Sequence, residues 1–304
     1  MIKKKILIVG GTGFIGFHLS KQLLKLNFIV HSISTKKPTK LNKLKNVKYI
    51  ILDITKKKNF VKKINFNYEI IINLGGYVDH SNKIKTYLSH YNGCKNLIDF
   101  FKEKSLKFFL QIGSSLEYGD TGVPHREDQN CLPKANYAKA KFRAGKYIKK
   151  MSKKFKFDYL ILRLYQIYGP NQKPNRLLPS SIVHLLKDKK FLCSDGNQLR
   201  DFLYVDDLIS LFKLILTKNK YPNCVLNVGS GKQFRIISIL RKIKKNIGKG
   251  QLKIGSLPMR KDETVHNYPN ISKVKRTYNW RPKVNLSDGL RKTILFYKKN
   301  IFLK

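Results

Sequence analysis

The sequence predicts an α/β protein with a doubly wound parallel sheet and a smaller C-terminal α/β region. Short apolar runs such as Ile6–Val9 are typical of strands that are buried on both faces of a parallel sheet. Segments with helical apolar periodicity alternate with these runs. A glycine-rich turn joins the first strand directly to the first helix. With 304 residues, of which 42% are hydrophobic, the chain is long enough to bury a sizeable core.

The turn after the first strand is the first candidate site. Residues 10–16 are Gly-Gly-Thr-Gly-Phe-Ile-Gly, and they fit both G-x-G-x-x-G and G-x-x-G-x-x-G. Such glycines let the backbone approach a pyrophosphate, which sits at the N-terminus of the following helix. The order of strand, turn and helix therefore predicts dinucleotide binding. The predicted contacts are Gly10, Gly11, Thr12, Gly13, Phe14, Ile15 and Gly16.

The end of the second strand, residues 28–33, bears on the choice of cofactor. An acidic residue at this place usually binds the ribose 2′-hydroxyl of NAD. Here the chain has Ser34, Thr35 and Lys36 instead. A carboxylate would repel a 2′-phosphate, whereas hydroxyl and ammonium groups can bind one. The sequence thus favours NADP(H), with NAD(H) as the alternative.

The third and fourth predicted strands, residues 47–52 and 68–74, also end in candidate cofactor contacts. Asp53 can accept a hydrogen bond from the adenine amino group, or it can cap the helix that follows. The small residues after the fourth strand leave room for the cofactor to pass. The predicted contacts are Asp53, Ile54, Leu74, Gly75 and Gly76.

A proton-transfer site is predicted from the fifth strand, residues 107–112, and the helix after it. Ser114 and Ser115 follow the strand, at the sheet edge where ligands of such folds bind. Tyr137 and Lys141 are four residues apart and so share one helix face. An ammonium near a phenol stabilises the phenolate, which allows proton transfer near neutral pH.

Composition narrows the class of protein. Sixty-three Lys and Arg residues against 18 Asp and Glu give a net charge of +45. Because the lysines are spread along the whole chain, we expect a solvated basic surface that attracts anionic substrates, and no specific nucleic-acid module. Four scattered cysteines without ligand spacing indicate reduced thiols in a cytoplasmic protein, and no metal site. No apolar window reaches the roughly 20 residues of a membrane span.

The character of the chain changes after Tyr168-Gly169-Pro170, where Pro and Gly become more frequent and the elements shorter. We therefore expect a cofactor domain over residues 1–168, a substrate region over 169–304, and a segment near 200–232 that returns to the first domain.

Several motifs together point to one family. The chain resembles the extended short-chain dehydrogenases/reductases that act on nucleotide sugars as NAD(P)-dependent epimerases, dehydratases and reductases. The motifs are GGTGFIG (10–16), GSSLEYG (113–119), YAKAK (137–141), LRLYQIYGP (162–170), RDFLYVDD (200–207), NVGSG (227–231), PMRKDE (258–263) and NWRP (279–282).

The resemblance implies a Rossmann fold and a Ser-Tyr-Lys triad. Tyr137 would be the acid/base, Lys141 would bind the nicotinamide ribose and lower the pKa of the phenol, and Ser114 would bind the sugar oxygen. His90 stands where the family usually has an Asn. The implied contacts with a nucleotide-diphosphate sugar are Ser115, Gln166, Arg200 and Arg260. A homodimer formed through the helices predicted at 82–104 and 137–151 is also implied.

Three reactions remain open. A 4-ketoreductase for a deoxy sugar is favoured, because the GSS-x-EYG loop resembles such reductases and the second strand ends without a carboxylate. A 4-epimerase with tightly held NAD is the alternative. A 4,6-dehydratase is disfavoured because Ser115 and Leu116 occupy the places of its acidic residues. A non-enzymatic sensor on the same fold is disfavoured because the triad is complete.

Overall fold

The computed structural model describes residues 4–77, 82–259 and 263–300. The strands are, in chain order, β1 (Lys5–Val9), β2 (Ile29–Ser34), β3 (Val47–Ile51), β4 (Ile70–Asn73), β5 (Phe108–Ser114), β6 (Asp158–Leu164), β7 (Gln166–Tyr168), β8 (Lys190–Leu192), β9 (Leu199–Arg200), β10 (Phe202–Tyr204), β11 (Cys224–Val228), β12 (Phe234–Arg235), β13 (Gln251–Lys253) and β14 (His266–Asn267). The helices are α1 (Phe14–Lys25), α2 (Asn59–Lys63), α3 (Lys83–Tyr87), α4 (Gly93–Phe101), α5 (Asn136–Phe155), α6 (Leu177–Leu186), α7 (Val205–Lys218), α8 (Ile236–Ile247), α9 (Ser272–Tyr278) and α10 (Leu286–Asn300).

The largest sheet has seven strands in the order β11-β6-β5-β4-β1-β2-β3. Six of them come from the first 164 residues, and β11 joins from later in the chain. Neighbouring strands from β6 to β3 are parallel. The strand order reverses between β1 and β4, which is where ligands bind in doubly wound sheets. The register aligns Val9 with Ile33 and Asn73, and Asn73 with Gln111. The carboxyl ends of β1, β2, β4 and β5 therefore meet at one edge, and the predicted fold class is confirmed.

The centre of the sheet is buried because its strands are largely apolar on both faces. Ile6, Leu7 and Ile8 of β1 have no exposed surface, and every residue of β5 is buried. Strands without a polar face cannot be placed at the surface, so helices must cover both sides. The continuous apolar runs in the sequence thus predicted the interior of the sheet correctly.

The helix predicted from residue 82 to residue 104 is interrupted. The structure has α3, then a π-helical segment over Leu88–Asn92, then α4. A π-helical turn inserts an extra residue into the helical repeat and is often found near functional sites. His90 lies within this segment. Apolar periodicity alone does not distinguish a π turn from a continuous α-helix.

The chain divides into two compact units. The first contains Met1–Thr121, Glu127–Leu164 and Ile209–Leu226, and the second contains Gly122–Arg126, Tyr165–Leu208 and Asn227–Lys304. The small sheets β10-β7, β12-β9-β14 and β13-β8 are formed by strands that start in the second unit. Within the described part of the chain, no helix has the length and apolar character needed to cross a bilayer.

Candidate active site

The glycine turn after β1 forms an open helix N-terminus. Gly10 has a φ of +82°, and a Cβ on Gly16 would lie 2.3 Å from the Gly10 carbonyl oxygen. Gly13 is the N-cap of α1, where no side chain caps the helix and the first turn has no acidic residue. The N–H groups and positive dipole of this end are therefore available to an anion. These residues fit the pyrophosphate of a dinucleotide.

Ser34 ties the end of β2 to the glycine turn. Its Oγ donates to the Ile33 carbonyl at 2.8 Å and accepts from Thr12 Oγ1 at 2.9 Å. Thr35 and Lys36, which follow it, are exposed. Of the predicted 2′-phosphate contacts, Ser34 thus lies beside the glycine turn, although its hydroxyl already has two protein partners.

Asp53 closes a local turn. Its Oδ1 accepts from the backbone N–H of Thr55 at 2.9 Å and from its hydroxyl at 2.8 Å. The predicted cap role is wrong, since Lys58 is the N-cap of α2. The neighbouring Ile54 is buried, and its side chain fills the space beside Gly93.

The turn after β4 packs on a histidine. Leu74 N–H donates to the Val9 carbonyl at 2.9 Å. Gly76 has a φ of +151°, and a Cβ there would overlap the His90 imidazole. His90 Nε2 lies 3.1 Å from the carbonyl oxygen of Tyr77, and its ring meets that of Tyr137 edge-on with centroids 4.8 Å apart. His90 therefore contacts the predicted acid/base, in the place where the family usually has an Asn.

Ser114 is held at the end of β5 by a capping box. Its Oγ accepts from Leu116 N–H at 3.2 Å, and its N–H donates to Glu117 Oε1 at 2.8 Å. The Leu116 bond uses a lone pair of the hydroxyl oxygen and leaves the hydroxyl hydrogen to donate. Ser114 can thus offer a hydrogen bond to a substrate oxygen. Ser115 begins the following 3₁₀ turn and is buried.

Glu117 forms a buried ion pair with Arg163, a residue that the sequence had not identified as functional. Glu117 Oε2 lies 3.1 Å from Arg163 Nε, and both side chains are almost fully buried. Burial opposes the charge of Arg163, but Glu117, with smaller effects of Tyr118 and Cys131, outweighs it, and the pKa of Arg163 rises. Since both oxygens of Glu117 have protein partners, its carboxylate is not directed at a ligand.

Lys141 is buried beside Tyr137 in α5, with an exposed fraction of 4%. Its Nζ donates to the Ile112 carbonyl at 2.7 Å and lies 5.9 Å from the centroid of the Tyr137 ring. Burial lowers the pKa of Lys141 to about 8, while the Glu117 carboxylate acts in the opposite direction. An ammonium has three donors, and this carbonyl uses one of them.

The predicted substrate contacts Gln166 and Arg200 belong to the second unit. Gln166 is exposed in β7. Arg200 is buried, and its Nη1 and Nη2 donate to Glu263 Oε1 and to the carbonyls of Leu199, Thr264 and Val265. Arg260 lies outside the described residues.

Asp201 and Asp207 of the RDFLYVDD motif are structural aspartates that the sequence had not identified as functional. Asp201 accepts from the backbone N–H groups of Ser230, Gly231 and Lys232. Burial raises the pKa of Asp201 to about 6, against the lowering effect of these bonds. Asp207 accepts from the N–H groups of residues 283 and 284. Because their partners lie 29 to 77 positions further along the chain, no local pattern in the sequence indicates these roles.

Comparison with known proteins shows the family. The model of the NAD dependent epimerase/dehydratase family matches residues 6–229. A UDP-glucuronate 4-epimerase of Thermodesulfobacterium geofontis is 28% identical, over 98% of this chain and 97% of its own. A dTDP-D-glucose 4,6-dehydratase of Mus musculus is 27% identical, over 98% of this chain and 89% of its own.

A solved structure agrees with these relatives. It is the UDP-glucuronic acid 4-epimerase of Bacillus cereus in complex with UDP-glucuronic acid and NAD. It is 27% identical and has a TM-score of 0.86, covering 97% of this chain and 99% of its own. Because the family model matches residues 6–229 and the fold is shared, this chain belongs to the NAD dependent epimerase/dehydratase family.

Proposed function

We propose that this protein is a nucleotide-sugar 4-epimerase that retains NAD(H) and uses Ser114, Tyr137 and Lys141. The observation that carries the proposal is the buried Lys141 ammonium, 5.9 Å from the Tyr137 ring centroid, on the helix that packs against the turn after Ser114. The sequence favoured a 4-ketoreductase, with the 4-epimerase as the alternative. The epimerases among the relatives and solved structures support the alternative.

Each residue of the triad has a separate role at one carbon of the sugar. Tyr137 removes the proton of the sugar hydroxyl and later returns it, and the positive charge of Lys141 stabilises the phenolate between these events. Ser114 donates to the sugar oxygen through the hydroxyl hydrogen that its capping bond leaves available. A bound nicotinamide supplies the acceptor and donor of the hydride.

Epimerisation needs no residue that eliminates water, and this fits the loop after Ser114. A 4,6-dehydratase requires an additional acid near the sugar. Glu117 is the acidic residue of the loop, and it is engaged by Arg163 and by the Ser114 N–H. The geometry therefore supports an epimerase over a dehydratase.

The cofactor proposed here is NAD(H), held by the glycine turn at the N-terminus of α1. A specific observation favours NADP(H) as a second candidate, because Ser34, Thr35 and Lys36 follow β2 where a carboxylate would select NAD. We predict that Ser34→Asp weakens NADPH binding at least about tenfold more than NADH binding, through repulsion of the 2′-phosphate. Titration of both cofactors by fluorescence measures this, and equal losses would remove Ser34 from the 2′-phosphate contact.

We further propose a cytoplasmic homodimer formed through α3, α4 and α5. Ile84 on α3 is 72% exposed and Leu88 follows it on the surface, so this face offers apolar area to a second copy. The many lysines would repel one another at low salt. Light scattering at low and high salt should therefore show a dimer that strengthens as salt is added, and a monomer at all salt concentrations would contradict this.

The reaction itself can be tested with UDP- and dTDP-linked hexoses and no added cofactor. An epimerase converts a hexose into its C4 epimer, which proton NMR detects, and approaches the same mixture from either side. A reductase leaves these sugars unchanged and oxidises NADPH only when a 4-keto sugar is supplied. The second result would replace the epimerase by the reductase.

A further inference from the structure

A chain of buried hydrogen bonds joins the turn after β4 to Lys141. Gly75 N–H donates to Asn73 Oδ1 at 3.1 Å, and Asn73 Nδ2 donates to Gln111 Oε1 at 2.8 Å. Gln111 Nε2 in turn donates to the Ile112 carbonyl at 2.8 Å. The ammonium of Lys141 donates to this same carbonyl at 2.7 Å. All five residues lie in the first unit.

The two ends of this series of hydrogen bonds determine how the side-chain amides of Asn73 and Gln111 are oriented. The series begins at a backbone N–H, which can only donate, and it ends at a backbone carbonyl, which can only accept. The oxygen of Asn73 must therefore face Gly75, and the nitrogen of Gln111 must face Ile112. The thiol of Cys94, 3.3 Å from Gln111 Oε1, donates to the same oxygen and supports this orientation.

Gln111 is unusual for its place in the sheet. It interrupts the apolar run Phe-Phe-Leu-Gln-Ile of β5 and has an exposed fraction of 1%. A buried polar group that loses its partners destabilises the fold by about 1–3 kcal/mol, so an apolar residue would be the simpler choice for packing alone. Its amide instead connects two places at the sheet edge where ligands bind.

We propose that Gln111 is a positioning residue that sets the Lys141 ammonium and the Gly75–Gly76 turn in one arrangement. The assignment rests on the proposed function for the role of Lys141. Because Gln111 Nε2 and Lys141 Nζ share one carbonyl at 2.8 and 2.7 Å, the two nitrogens are at most 5.5 Å apart. Gln111 thus fixes the Ile112 carbonyl, to which the Lys141 ammonium donates. Through Asn73, Gln111 also fixes the position of the Gly75–Gly76 turn.

Kinetics of Gln111→Met and of a control variant provide the first test. Gln111→Met keeps the length of the side chain but removes all of its hydrogen bonds, so kcat should fall about 10- to 100-fold while the KM of the sugar changes less than about threefold. Ser152→Ala is the matched control. It removes a buried hydrogen bond, from Ser152 Oγ to the Phe157 carbonyl, near the C-terminal end of α5, the helix that carries Lys141. It should leave kcat within about twofold.

Gln111→Glu separates positioning from packing. Its protonated carboxyl can donate to the Ile112 carbonyl as the amide does, whereas its ionised form cannot. The kcat of this variant relative to wild type should therefore fall as the pH rises from about 5 to about 8. A pH-independent ratio would overturn the proposal, as would a Gln111→Met enzyme with wild-type kcat.

A double-mutant cycle tests the coupling without any turnover. Asn73→Leu and Lys141→Met are combined in the ligand-free protein, and the unfolding equilibrium is measured in urea. With Gln111 present, the two effects should deviate from additivity by about threefold or more in the unfolding constant. In the Gln111→Met background they should be additive. Additivity in both backgrounds would overturn the proposal, whereas coupling in a protein that epimerises no sugar would refute only the proposed function.

Discussion

Lys141 in the first unit and Arg200 in the second are both buried cations, but the protein uses their donors very differently. Their exposed fractions are similar, 4% and 6%. Lys141 donates one hydrogen bond to a backbone carbonyl. Arg200 makes four hydrogen bonds through its two Nη atoms, one to Glu263 and three to carbonyls.

The difference teaches that burial alone does not identify a functional cation. An ammonium with donors left over can bind a ligand, at the expense of a desolvation penalty that the structure does not fully compensate. The guanidinium of Arg200 instead uses most of its five donors to link segments of the protein, and its contact with a nucleotide sugar stays a prediction.

Tyr137→Phe removes the proton carrier beside Lys141 and should reduce kcat by about 10³-fold or more, since general acid–base catalysis contributes on this scale. Cofactor binding should stay within about threefold, because the ring and its contact with His90 remain. Steady-state kinetics and a cofactor titration measure the two effects. Turnover near that of wild type would remove Tyr137 from the acid/base role.

Glu117→Gln should destabilise the fold by about 3 kcal/mol, because it leaves the buried Arg163 without its counter-charge. A glutamine oxygen can also replace only one of the two accepting oxygens, so either Ser114 or Arg163 loses a bond. Urea unfolding checks this value. The exposed Glu103→Gln is the control and should change stability by less than about 0.5 kcal/mol. Equal effects of the two substitutions would contradict the buried pair.

Lys141→Met should abolish turnover yet stabilise the folded protein at neutral pH. The pKa of Lys141 is lowered to about 8 in the fold, so below pH 8 the native state holds a charge that its burial disfavours. By linkage this penalty is about 3 kcal/mol. The unfolded chain binds more protons between pH 8 and 10.5, so wild-type stability rises across this window.

The gain from Lys141→Met should therefore be largest below pH 8 and shrink towards pH 10.5. Thermal unfolding over this pH range measures it. Lys139→Met, an exposed substitution on the same helix, should alter stability by no more than about 0.5 kcal/mol. A Lys141→Met protein that is less stable than wild type at neutral pH would show that the ammonium is a structural cation like Arg200.

Arg200→Lys should lower the free energy of unfolding by about 1–2 kcal/mol, because a lysine cannot satisfy the carbonyls that the guanidinium fork bonds. Arg235→Lys on the neighbouring β12, an exposed position, is the control. Urea unfolding distinguishes them. If Arg200→Lys left stability unchanged and only raised the KM of the nucleotide sugar, Arg200 would be a ligand contact and its contrast with Lys141 would disappear.

The sequence predicted the sheet, the glycine turn and the Tyr137 helix because each depends on local periodicity or spacing. The strand β1 contains the whole apolar run, Ile6–Val9, that the sequence indicated. Contacts between distant segments were not predictable in this way. Arg163 pairs with Glu117 across 46 positions, and Arg200 pairs with Glu263 across 63. The path from Asn73 through Gln111 to Lys141 likewise depends on strand register, which no local pattern shows.

The central claim is that one carbon of a nucleotide sugar is oxidised and reduced again beside Tyr137 without release of the hydride. A UDP-hexose deuterated at C4 tests it most directly, with the product followed by NMR. We predict that the C4 epimer forms without added cofactor and keeps its deuterium at C4. Loss of the label to solvent, or no epimer from any UDP- or dTDP-hexose, would contradict the account.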